Sequence, residues 1–361
     1  MKFGQLHLFE NPMGRTEKQI VDEQFDIMAR AEEFGFDSIW PAEHHFSEYG
    51  YCASPAVTLA ALASRTQNIR LGTGIVVLPL NHPVRVAEDF AILDLLSGGR
   101  VDLGVGRGYQ PHELAGYGVD QTRSRDIFHE SVEIIQKAWT TEQFNYDGEF
   151  YKFQNLSVRP KPLQQPHPPI WMASLSPTTF QLCGQYGFNL MCAPVFGFDV
   201  NQGAAQIEEY RQALREHDRD PDDYEVAGLI MTYVAETKEQ ALADFQDAVM
   251  WYFHTFAKYI APPKGQPAIK SYEMYTAARD WLQTLEWDAV VESGAVVCGT
   301  PDEVADRIAE IHELCGITHY LAWTRIGGLA HKKVLRSMEL MRDKVMPQVR
   351  HLGEGAAAAA R

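Results

Sequence analysis

Two histidines, His44 and His45, stand side by side in Glu43-His44-His45-Phe46, directly after a short apolar run at 36–40. An imidazole placed there can act as a general acid or base, or hydrogen-bond a reacting group. A metal site would need a third ligand, for which Glu43, His7 or His82 are the candidates. Neighbours on an extended segment point opposite ways, so the pair is not expected to share an ion, and no metal is expected. A second group suits an anion. Arg107 sits among glycines in Gly104-Val105-Gly106-Arg107-Gly108-Tyr109, where bare backbone permits close approach and a guanidinium can fork onto a phosphate. Ser174, Leu175, Ser176 and Thr178 surround a helix start opened by Pro177, which offers free N–H groups and a positive dipole end. Arg125, at the start of another helix, supplies a second cation. The plainer alternative is that Ser176 is only a helix cap and Arg107 only a surface ion-pair partner.

These residues need elements to hold them. Short apolar strands are predicted at 2–8, 36–40, 70–78, 101–105, 170–173, 188–192, 225–235 and 319–323, and amphipathic helices fall between them. Thr16 with Gln19, and Thr300 with Glu303, read as capping boxes. Val21, Phe25, Met28 and Ala31 form the expected stripe of the first helix. The fold class is therefore α/β, a (β/α)8 TIM barrel with insertions. An open doubly wound sheet would carry a GxGxxG turn after its first strand, and none is present. In such a barrel the working face lies at the carboxyl ends of the strands, where His44, Arg107 and the 174–178 loop all fall. One barrel domain is expected over 1–347. It carries a hairpin insertion at about 142–168, turning at Asp147-Gly148, and an aromatic insertion at about 251–295. The turn residues Ala261 to Gln266 suggest a lid over the mouth, with core packing or a subunit contact as the other use of the aromatics. Residues 348–361 read as a flexible tail.

Composition narrows the function. The chain has 361 residues, with 32 Lys and Arg against 48 Asp and Glu, a net charge of −16. Such a surface repels phosphate backbones and anionic lipid, so no nucleic acid and no membrane are expected as partners. No run of about 18 apolar residues exists to span a bilayer. Five scattered cysteines without a CxxC pair suit a reducing compartment, and the start lacks a signal peptide's pattern, so a cytoplasmic location is expected.

Five segments together carry a resemblance: MKFG at the start, GFDSIWPAEHHF at 35–46, LNHPVRVAED at 80–89, GRVDLGVGRGY at 99–109 and GTPDEVADRI at 299–308. The chain resembles the bacterial luciferase-like family of flavin-dependent monooxygenases from Met1 to about Pro347. The EHHF segment, with Glu48, Gly50 and Pro55, is especially similar to the alkanal-oxidising catalytic subunit. The resemblance implies a barrel that binds reduced FMN, reaction with O₂ to a C4a-peroxyflavin, and oxygen transfer to a small hydrophobic organic substrate. It implies His44 as catalytic histidine with His45 secondary, and Arg107, Arg125, Ser174, Leu175, Ser176 and Thr178 around the FMN phosphate. It also implies a cis bulge at Gly74 and Ile75 beside the flavin ring. The partners implied are a separate NAD(P)H:flavin reductase and further copies of the chain. Two positions depart from the luciferase subunit: Gly106 replaces a reactive cysteine and Ser174 a glutamate, which leaves light emission open. A deazaflavin-dependent hydride transferase and a non-catalytic flavin-binding subunit are the alternatives on the same barrel.

Overall fold

The computed structural model describes residues 1–196, 199–262 and 272–353. Among them, eight parallel strands close into a barrel: β1 (Lys2–His7), β2 (Ser38–Pro41), β3 (Arg70–Gly72), β4 (Val101–Gly106), β5 (Ile170–Ala173), β6 (Asn189–Cys192), β7 (Val226–Val234) and β8 (His319–Trp323). Each strand pairs with its neighbours in sequence. The ring closes where β8 pairs with β1, Lys2 opposite His319 and Gly4 opposite Leu321. Helices surround it, as the alternation requires.

Local signals place the elements. Thr16 and Gln19 form the expected capping box of helix α1 (Glu17–Arg30), and Thr300 and Glu303 that of a later helix, Pro301–Cys315. The buried face of α1 is Ile20, Gln24, Ile27 and Met28, one residue round from the expected stripe, and Val21 is exposed. Gln24 turns inward because its Oε1 meets His7 Nδ1 at 2.8 Å. The strand expected at 70–78 is interrupted. It ends at Gly72, the Gly74–Ile75 peptide is cis, and pairing with β4 resumes at Val76–Val77.

Both expected insertions have structure of their own. The hairpin runs Phe144–Asp147 and Lys152–Leu156, and its Tyr151 and Phe153 rings meet His82 edge-on at the start of helix Pro83–Ser97. The second insertion leaves the long helix Lys238–Tyr259, continues through helices Glu273–Gln283 and Trp287–Glu292, and returns as a strand, Val296–Gly299. That strand pairs with Met231 to Val234 at the carboxyl end of β7, which stitches the insertion to the barrel mouth. Of the expected lid turn, Ala261 and Pro262 are described and 263–266 lie outside the described residues. The expected tail does not leave the barrel at 348. Val349 is buried, Arg350 bonds Asp37 at 2.9 Å, and the terminal amine donates to Arg350 O and Leu352 O. Residues 354–361 lie outside the described residues. No described helix is long and apolar enough to cross a membrane.

Candidate active site

One deep cavity opens at the carboxyl ends of the strands and contains about 1400 Å³ of non-atom space, its open mouth included. Its wall brings together His44, Gly74, Ile75, Arg107, Ser174, Leu175 and Ser176, residues drawn from four strand ends. His45, Arg125 and Thr178 are not on that wall, and each has a physical reason.

His44 and His45 point opposite ways, as extended backbone dictates. His44 faces the cavity, and its Nδ1 lies 3.0 Å from Glu113 Oε1. The same oxygen accepts the His45 backbone N–H at 2.8 Å. Burial would raise the Glu113 carboxyl, but the charge and hydrogen bond of His44, with the His45 amide, hold it below the ordinary value. An ionised carboxylate only accepts, so His44 Nδ1 is the donor of that bond, which leaves Nε2 as the ring nitrogen not engaged by Glu113. His45 is buried with both ring nitrogens engaged, Nε2 with Glu43 Oε1 at 3.0 Å and Nδ1 with the Tyr117 hydroxyl at 3.3 Å. Glu43 uses its other oxygen on the Val77 amide at 2.8 Å and reaches Asn81 as well, which ties the histidine segment to the backbone after the cis bulge. Gly50 makes room: a side chain there would meet Leu8 O at 2.6 Å and the His44 Cβ at 2.8 Å.

The opposite end suits an anion. The wall is bare at Gly74 and Gly106, where an added Cβ would strike Leu6 at 2.6 Å and Ile75 at 2.1 Å. The Arg107 guanidinium lies 4.3 Å from the centre of the Tyr272 ring. Tyr272 in turn donates to Gly108 O at 3.0 Å and meets Ser124 Oγ at 3.0 Å, so the aromatic insertion braces the arginine. Ser174 Oγ donates to Thr179 O at 3.1 Å, and Ser176 precedes helix Pro177–Tyr186 as its cap. Thr178 is exposed; Thr179, whose hydroxyl bonds back to Ser176, lines the cavity instead. A cap's third residue turns back toward it, which carries the wall hydroxyl one position on. Arg125 is exposed in the first turn of helix Ser124–Thr140 and acts at a distance. With burial leading, its charge and that of Arg107 lower the pKa of His129, a basic side chain the sequence reading missed.

Aromatic side chains cover the rest. The Tyr49 hydroxyl lies 2.9 Å from that of Tyr109 and 2.8 Å from that of Tyr252. The Tyr49 ring meets His44 edge-on at 4.6 Å, and Tyr275 stacks on Tyr109 at 5.6 Å. Glu113 and this tyrosine group were also missed. Glu113 had a faint signal, an acid in the first turn of a short helix opened by Pro111 (Pro111–Gly116). The tyrosines come from separate elements, and no local pattern joins them.

The family model described as luciferase-like monooxygenase matches residues 1–318. The chain belongs to the luciferase-like monooxygenase family. It is accordingly an oxidoreductase. Among this family's members, the chain is 29% identical to the oxygenase component of the flavin-dependent trigonelline monooxygenase of Acinetobacter baylyi, over 92% of this chain and 91% of that one. It is 24% identical to the alkanal monooxygenase alpha chain of the Kryptophanaron alfredi symbiont, over 97% and 99%. Among solved structures, monooxygenase RslO1 from Streptomyces bottropensis superposes with a TM-score of 0.82 at 26% identity, over 96% of this chain and 99% of that one. The luciferase-like barrel is thus matched along nearly its whole length, insertions included.

Proposed function

We propose that the chain is the oxygenase of a two-component system, taking reduced FMN from a separate NAD(P)H:flavin reductase and using O₂ to oxygenate a hydrophobic organic substrate. The observation that carries this is the cavity's polarity: an imidazole nitrogen at one place, and a glycine-lined wall leading to arginine, serine and a helix start at another. The donor set fits FMN. Arg107 and the Ser174 to Ser176 loop would hold the phosphate, with Arg125 adding positive potential, and Gly74, Ile75 and Gly106 would face the ring. Reduced FMN supplies activation of O₂ at its C4a carbon. The chain's own part is to keep the site dry with aromatic side chains and to hold a proton acceptor, His44 Nε2, in a fixed direction.

Related features belong to the same proposal. Residues 1–347 act as one domain with insertions at about 142–168 and 251–295. Val57, Ile92 and Leu96 are exposed apolar side chains on helices Pro55–Ala63 and Pro83–Ser97, and we assign that face to a homo-oligomer contact. All five cysteines are free, which suits the cytoplasm.

The test is anaerobic stopped-flow mixing of the FMN-loaded chain with NADH or NADPH. No flavin bleaching is expected until a reductase is added, and then product should form only with air. Bleaching at catalytic rates by the chain alone refutes the two-component reading. Turnover without oxygen on a deazaflavin would replace it with hydride transfer.

A further inference from the structure

The tyrosine wall has more hydrogen-bond donors than the protein uses. Tyr109, Tyr49 and Tyr252 bring three O–H groups to two contacts, of 2.9 and 2.8 Å. Each contact consumes one donor. The other neighbour of this chain, Gln110 Nε2, is itself a donor, 3.4 Å from the Tyr109 oxygen. With the Gln110 amide in this orientation, its nitrogen toward Tyr109 and its oxygen unpartnered among the described residues, one O–H is left without an acceptor among them however the hydroxyls are turned. The Tyr275 hydroxyl has no partner there either, and all four residues line the cavity. Burial pushes these phenols up, so they remain donors at working pH. An unspent donor at a largely dry site is a specificity element, because a ligand lacking an acceptor leaves it unpaired.

The rings add a second constraint. Tyr275 over Tyr109 and Tyr252 over Phe256 are near-parallel pairs, each with planes 13° apart. Such faces and edges favour a flat π system over a flexible chain. Of the acidic wall residues, Glu43 has both oxygens in internal hydrogen bonds and Glu113 has Oε1 so engaged.

We propose that the substrate is a flat, uncharged aromatic molecule carrying an oxygen acceptor, of the phenol or aryl-ketone kind, with its oxygen on the spare tyrosine hydroxyls. This rests on the reading that the flavin occupies the cavity's arginine and glycine end.

The test is calorimetric titration of the FMN-saturated chain with four probes: 2-naphthol, naphthalene, decanal and N-methylnicotinate. 2-Naphthol should bind tightest, about three- to tenfold better than naphthalene, the worth of a neutral hydrogen bond. Y275F combined with Y49F, Y109F and Y252F, which removes every hydroxyl of the set, should reduce that ratio toward one while leaving naphthalene unchanged. Preference for decanal or the pyridinium overturns the proposal, as does a naphthol-to-naphthalene ratio that survives removal of all four hydroxyls. If a variant does not fold, the ranking of probes on the unaltered chain decides. A separate FMN titration separates the two readings: FMN binding without the aromatic preference sinks only this proposal, and the preference without FMN binding sinks only the flavin reading.

Discussion

Two polar centres stand at the carboxyl ends of neighbouring strands, and they are finished differently. After β2, the buried polar atoms of His44, His45, Glu43, Glu113 and Asn81 are joined in one hydrogen-bonded network. After β1, His7, Glu10, Gln24 and Arg325 are equally buried, yet His7 Nε2, Gln24 Nε2 and Arg325 Nε lack a hydrogen-bond partner among the described residues. The first centre lines the cavity; the second sits behind the barrel wall, against α1. A completed network fixes an imidazole in one tautomer and one direction, which general-base work requires. An incomplete one makes charge costly, and its groups move toward their neutral forms. Burial raises the Glu10 carboxyl to about 7, against the pull of Arg325, and lowers His7 to about 4.

The sharpest way to break this contrast is at His44. His44→Ala should lower oxygenation by about 10²–10⁴, the usual worth of a positioned acid or base, while FMN affinity stays within a few-fold. Unchanged product formation under saturating reduced FMN would sink the assignment. Removing the support should be felt in stability as well. Glu113→Ala leaves the His45 amide and His44 Nδ1 unpaired, at about 1–3 kcal/mol each. Urea unfolding at pH 7 should show a loss of roughly 2–6 kcal/mol; no loss would mean the network is not closed in solution.

Arg107→Ala tests the anion end of the same cavity. It removes a charge-assisted contact of about 1.5–3 kcal/mol, so FMN should bind about ten- to a hundredfold more weakly. Riboflavin, without the phosphate, should hardly notice, and equal losses for both flavins would make Arg107 structural.

The smallest effect belongs to the second centre, and its sign differs between partners. The raised Glu10 pKa contributes stability that is full below about 4.5 and lost as pH rises through 7. The lowered His7 pKa contributes stability that is full above 6.5 and lost as pH falls through 4. Between about 4.5 and 6.5 the slopes oppose, so these two groups should change the net stability by under about 1 kcal/mol. Glu10→Gln removes one slope. That variant should gain stability steadily from pH 4 to 6.5, by up to about 3 kcal/mol, then level off. Urea midpoints at four pH values check this, and a flat variant profile would show that His7 is hydrated.

Much of the fold was readable because its signals are local. The alternation of strands and helices, both capping boxes and the hairpin at 142–168 depend on neighbours a few residues apart. Departures from the expected pattern arose where long-range contacts intervened. Gln24 rotates α1 toward His7, the 70–78 strand breaks at the cis bulge, and Arg350 holds the chain end to Asp37.

At the site the division is the same. Residue type and position along the chain determined that His44, Arg107 and Ser174 would share the working face, since every strand of a parallel barrel ends on one side. They also determined that His44 and His45 would face apart. Only the tertiary structure decided which of the two faces the cavity, that Glu113 would hold it from 69 residues away, and that Tyr49, Tyr109 and Tyr252 would join hydroxyls. Periodicity tells which side of an element is buried, but barrel closure decides which distant side chains meet there. A donor left over after that meeting is visible only once every partner is in place.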